Sequence, residues 1–196
     1  MDQVHEELIR DKSILITGGS NGFGEGLARR FVQAAGIVTI ADIDADRGKA
    51  LANEIGATFV KTDVTDFEAN QHAVEVATDS GGGLDIVILN AGVTSGIGLG
   101  EDFDPAKYRR TMAINLDGVV YGVAASLPAL KRNGGGDIVV TASMAGIAPT
   151  PFDPIYATNK NAVVGLVRSF GLASVADNIR TNAICPAFAD TRILGE

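Results

Sequence analysis

Tyr156 and Lys160 stand four positions apart, the spacing that places two side chains on one face of an α-helix. A phenol is a poor base at neutral pH, with a reference pKa of about 10. A nearby ammonium favours the phenolate and lowers that value, so the pair has the makings of a proton-transfer device. Taken alone, such a pair is more often a plain surface contact. Ser143, 13 residues upstream of Tyr156, adds a hydroxyl that can donate and accept. Asn115, alone, reads as a polar group on a helix. Cys185 stands beside Pro186 without a histidine placed to activate it, and reads as packing.

A second constellation lies near the start. Thr17-Gly18-Gly19-Ser20-Asn21-Gly22-Phe23-Gly24 joins an apolar run to a helical pattern. A pyrophosphate needs close backbone approach and free N–H groups at a helix N-terminus. Gly18 permits the sharp turn; Gly22 and Gly24 remove side chains that would block phosphates or hold the helix off a sheet. Ser20, Asn21 and Phe23 are the remaining candidate contacts. Asp42 closes the next apolar run, 24 residues beyond Gly18. An acid there can bond adenosine ribose hydroxyls and would repel a 2′-phosphate. Neither Ser20, Asn21 nor Ile43 is basic, and Arg47, the nearest cation, falls inside a predicted helix. These residues favour NAD over NADP.

The elements that must position these groups follow from periodicity. Short apolar runs are expected as strands over 13–17, 37–41, 57–61, 85–89, 136–142 and 179–184. Helical patterns alternate with them over 22–35, 44–55, 66–80, 104 to about 132 and 154–176. The long fourth helix is expected to bend near Pro128. Strands without polar alternation are buried on both faces, and strict strand–helix alternation implies right-handed crossovers. The predicted fold is α/β: a Rossmann-like, doubly wound parallel sheet with helices on both faces. No composition shift marks a boundary, so one domain is expected over 1–196.

Bulk properties narrow the function classes. Hydrophobic residues at 46% and charged residues at 20% indicate a globular chain. A net charge of −8 argues against a nucleic-acid partner. The opening mixes charges and does not read as a secretory signal, and no apolar run predicts a membrane span. The single cysteine makes the reducing cytoplasm the expected compartment. His5 and His72 are isolated from other ligand types, so no metal site is expected.

Taken in order, the motifs resemble the short-chain dehydrogenase/reductase family. The turn is similar to that family's Thr-Gly-x-x-x-Gly-x-Gly. Asp63-Val64 resembles its adenine-bracketing pair, Asn90-Ala91-Gly92 its segment after the fourth strand, and Asn115 its helix asparagine. Ser143 and Tyr156-Ala157-Thr158-Asn159-Lys160 resemble its catalytic serine and Tyr-x-x-x-Lys. The likeness runs from about Ser13 onward. It implies NAD-dependent exchange of a hydride with a small-molecule secondary alcohol or ketone. Tyr156 is then the acid/base, Ser143 holds the substrate oxygen, and Lys160 holds the nicotinamide ribose. Asn115 would hold a water linking Lys160 to solvent. Ile43, Pro186 and Thr191 join the cofactor contacts, and a homodimer or homotetramer is implied. Pro186-Ala187 departs from the family's Pro-Gly. The family's substrate-covering segment and seventh strand are not expected within this chain, which leaves six strands.

Two rival readings stand beside this one. A non-catalytic NAD-binding sensor or partner subunit fits the absent segment, but not the intact Ser143, Tyr156 and Lys160. A nucleotide-sugar epimerase would share Tyr-x-x-x-Lys but needs a different glycine spacing.

Overall fold

The computed structural model describes residues 7–187. Six strands form one parallel sheet: β1 (Ser13–Thr17), β2 (Ile37–Asp42), β3 (Thr58–Lys61), β4 (Ile86–Leu89), β5 (Gly136–Thr141) and β6 (Ile179–Ile184). Their order is β3-β2-β1-β4-β5-β6, every neighbouring pair parallel. The flanking helices are α1 (Gly22–Gln33), α2 (Ala45–Ile55), α3 (Phe67–Gly81), α4 (Pro105–Met112), α5 (Gly118–Arg132) and α6 (Pro154–Ala173).

The sheet has two apolar faces because its central strands β1, β2 and β4 are buried almost throughout. Along β1, Ile14 and Ile16 join a cluster with Ala28, Leu51 and Ala52 of α1 and α2. Leu15 points the other way, into a larger core with Ala77, Val123, Leu130 and Val163. Each of the Ile, Leu and Val side chains among these, fully buried, stabilises the fold by about 1.5–3 kcal/mol. The chain leaves β3 on one side of β1 and returns as β4 on the other. That reversal opens a crevice beyond the carboxyl ends of β1 and β4, where open α/β sheets bind ligands.

The 105–132 helical stretch is interrupted, at a place periodicity does not mark; Pro128 lies inside the continuous α5. The interruption is a π-helical turn at Ala113–Asp117, and it carries Asn115. Its cause is tertiary. Asn115 is 0% exposed, and its amide is bonded at both ends to the Val93 backbone. The same stretch, 28 residues with an 18-residue window of mean hydropathy 1.3, is long and apolar enough to cross a membrane by length and composition. In this fold it covers the sheet, with Gly122 packed on Leu89.

Candidate active site

The crevice is the mouth of a cavity of about 1060 Å³. Its floor is built by the glycine turn. Gly18 has φ +61° and a Cβ there would lie 2.8 Å from Ala91 Cα, so conformation and space both demand glycine. At Gly24 a Cβ would stand 2.1 Å from the Gly18 carbonyl oxygen. Asn90 ties the strand ends together: its Nδ2 donates to the Gly18 carbonyl at 3.0 Å and its Oδ1 accepts the Thr141 hydroxyl at 3.1 Å.

The start of α1 lacks the side-chain cap that four other helices carry. Asp44, Asp66, Asp104 and Asp153 cap α2, α3, α4 and α6 with their side chains. Asn21 gives α1 no side-chain cap. The first amides of α1 are therefore open toward the cavity, which Gly18, Asn21, Gly22 and Phe23 line. A diphosphate fits that arrangement in charge and in space. Asp42 lines the same end while only 7% exposed. Its carboxylate accepts the Ser20 N–H at 2.9 Å and the Asp44 N–H at 3.0 Å. Ser20 itself is buried, and its hydroxyl oxygen has no partner. Arg47 is drawn to Asp44, 3.4 Å away. Ile43, Asp63, Val64, Ala91 and Gly92 complete the wall, and Gly118 packs against Val64.

At the other end Ser143, Tyr156 and Lys160 line the cavity together, with Pro186 beside them. Ser143 follows β5, and its Oγ accepts the Ala145 N–H at 3.1 Å while its hydroxyl favours ionisation of the Tyr156 phenol. Gly146 lets this segment lie on α6; a Cβ would be 2.6 Å from the Lys160 carbonyl oxygen. Lys160 is 3% exposed and its Nζ donates to the Thr141 carbonyl at 2.7 Å. That Nζ is 5.6 Å from the centre of the Tyr156 ring.

The electrostatics correct the sequence reading of this pair. Burial pushes the Tyr156 phenol above its ordinary pKa, the Ser143 hydrogen bond opposes that, and the charge of Asp153 adds to it. Burial also pulls Lys160 down, to about 8, against a smaller effect from Cys185. Sequence spacing registers the ammonium but not the desolvation, which is the largest influence on the phenol. The Tyr156 phenol is thus held protonated, the form that donates a proton.

Asn115 stands behind the wall rather than in it. A Cβ on Gly92 would be 3.3 Å from Asn115 Oδ1 and 3.6 Å from Lys160 Nζ, so the absence of one keeps a space open between them. Gly24 and Ser20 likewise support the site from behind. Thr191 lies outside the described residues. Three contributors escaped the sequence reading: Asp153 as a buried acid, its partner Ser95, and Arg110, which lines the cavity from α4. The Asp153-Pro154 pair was legible as a helix cap followed by a first-turn proline, but nothing local points to Ser95. Among the described residues no cluster of His, Cys, Asp or Glu could hold a metal ion.

Comparison with known proteins places this geometry. The family model described as short chain dehydrogenase matches residues 12–196. Oxidoreductase UcpA of Salmonella typhimurium is 38% identical over 188 residues, covering 92% of this chain and 70% of that protein. The 3beta-hydroxysteroid dehydrogenase 2 of Eggerthella lenta is 30% identical, covering 96% of this chain and 75% of its own. Trans-4-hydroxycyclohexanecarboxylate dehydrogenase of Sinomonas cyclohexanicum is 34% identical, with 93% and 74% covered. Among solved structures, 3-ketoacyl-(acyl-carrier-protein) reductase from Brucella melitensis complexed with NADH superposes with a TM-score of 0.91 at 31% identity. That match covers 95% of this chain and 79% of the other.

Proposed function

The chain belongs to the short chain dehydrogenase family, and from that premise we propose that it oxidises a neutral, apolar secondary alcohol to the ketone, reversibly, with NAD. The observation that carries the reading is the convergence of Ser143, Tyr156 and Lys160 on one cavity whose far end is an uncapped helix N-terminus beside a buried acid. The whole described chain acts as one dinucleotide-binding and catalytic domain.

Gly18 to Gly24 and the α1 amides hold the diphosphate; Asp42 holds the adenosine ribose; Asp63 and Val64 flank the adenine. Asn90 to Gly92, Lys160 and Pro186 hold the nicotinamide half. When bound, the nicotinamide supplies the hydride acceptor or donor. The rest of the chemistry is proton handling. Ser143 Oγ fixes the substrate oxygen within reach of the Tyr156 hydroxyl. In ketone reduction the protonated phenol gives its proton to the developing alkoxide; in oxidation the phenolate takes it back. Lys160, anchored on Thr141, keeps its charge beside the ring, and the gap at Gly92 leaves room for a water leading to solvent.

Two features support NAD over NADP. Asp42 is buried and negative where a 2′-phosphate would sit, and Arg47 is paired with Asp44. The substrate class follows from the walls. Neither 93–100 nor 143–152 contains a basic residue. Val93, Met144, Ala145, Ala148, Pro149 and Phe152 make that end of the cavity largely apolar, which suits an uncharged alicyclic alcohol.

The test follows NADH absorbance across neutral cyclic alcohols, hydroxysteroids and hydroxy acids, each with NAD and with NADP. The expected result is a kcat/KM at least about tenfold higher for neutral alcohols and for NAD, a difference of about 1.4 kcal/mol. Preference for the hydroxy acids would overturn the substrate class, and equal use of NADP the cofactor.

A further inference from the structure

One buried polar contact joins two walls of the cavity and is not accounted for by cofactor or proton transfer. Asp153 caps α6, accepting the backbone N–H of Tyr156 at 2.9 Å. The same carboxylate accepts the N–H of Ser95 at 3.0 Å and the Ser95 hydroxyl. The two residues are 58 positions apart, and both are buried. An N-cap needs only to satisfy amides of its own helix, as Asp66 and Asp104 do with theirs. Asp153 adds to that duty two donors from a distant loop.

The loop between β4 and α4 is thereby fixed at two points. Val93 is pinned by Asn115 through its N–H at 2.8 Å and its carbonyl at 2.7 Å. Ser95 is pinned by Asp153, and its Oγ steadies Ile97 by accepting that N–H at 3.4 Å. Thr94 lies between the pins and lines the cavity. The restrained segment thus includes Val93 and Thr94, which line the same cavity as Tyr156.

We infer that Ser95 and Asp153 form a positioning clasp, which sets the substrate wall at 93–95 against the Tyr156 end of α6 so that wall and acid/base group keep one geometry. This rests on the proposed acid/base role of Tyr156. The clasp carries charge as well as position. The groups around the Tyr156 phenol are Lys160 on its own helix, Asp153 at the cap and the Ser143 hydroxyl after β5, with Cys185 after β6 acting on Lys160; Arg110 of α4 lines the same cavity. Among these Asp153 is the group whose negative charge opposes the phenolate. Removing it lowers the pH at which Tyr156 ionises.

Two variants separate position from charge. Ser95→Ala loosens the wall and keeps the carboxylate. Asp153→Ser keeps a good cap and loses both the clasp and the charge. Three readouts apply: amide hydrogen exchange over 93–97, phenolate absorbance of Tyr156 with Tyr156→Phe as the blank, and KM against kcat. Ser95→Ala is expected to speed the exchange about tenfold and to raise KM, with the Tyr156 titration unmoved. Asp153→Ser is expected to speed the same exchange and to shift the titration down by about half a pH unit or more. Should Asp153→Ser not fold, Asp153→Asn must shift the titration in the same direction. Exchange unchanged in both variants, or a titration that ignores position 153, overturns the clasp. A wild-type chain without turnover would contradict the proposed function instead, because exchange and titration are read without it.

Discussion

The two ends of the cavity are built differently. At the dinucleotide end the backbone is fitted to within a fraction of an ångström: Gly18 against Ala91, Gly24 against Gly18, Asn90 bonded to two other strand ends. At the proposed substrate end the wall is looser: Phe152, which lines the cavity, is 73% exposed. Between the two stands the Ser143, Tyr156 and Lys160 group, seated on α6 and β5. The contrast teaches where a sequence has latitude. A cofactor common to the family imposes one backbone path, whereas a substrate wall needs only size and polarity.

Breaking the tight end is expected to cost most. Gly24→Ala drives a methyl into the Gly18 carbonyl, so NAD affinity should fall more than about a hundredfold, about 2.8 kcal/mol, when titrated by fluorescence of the reduced cofactor. Asp42→Ala comes next. It strips an acceptor from the Ser20 and Asp44 amides, each unmet buried amide costing about 1–3 kcal/mol. NAD should bind about tenfold more weakly while NADP binding changes less, so the ratio of the two dissociation constants reads out the carboxylate. Phe152→Ala, at the loose end, should leave NAD binding alone and change the alcohol KM by no more than about fivefold, since an exposed ring buries little area. A Phe152→Ala variant that lost NAD binding would erase the distinction between the ends.

The legible and illegible parts of this molecule divide along the same line as local and distant contacts. The strand–helix alternation, the glycine turn and the acid at 42 are written in neighbouring residues, and the structure assembles them as the periodicity implies. Asn115 is legible as a residue but not in its work, because its partner Val93 is 22 positions away and is reached from a π-helical turn. The Tyr156 phenol was misjudged because spacing reveals Lys160 and hides burial. Asp153 and Ser95 meet only in the folded chain.

The central claim is that Tyr156 moves the proton while the rest of the site binds. It is tested most directly by comparing wild type with Tyr156→Phe for NADH binding and for turnover of one neutral secondary alcohol in the same preparation. NADH affinity is expected to be unchanged and kcat to fall at least about a hundredfold, the usual scale of a lost general acid–base. Equal turnover by the two proteins would contradict it.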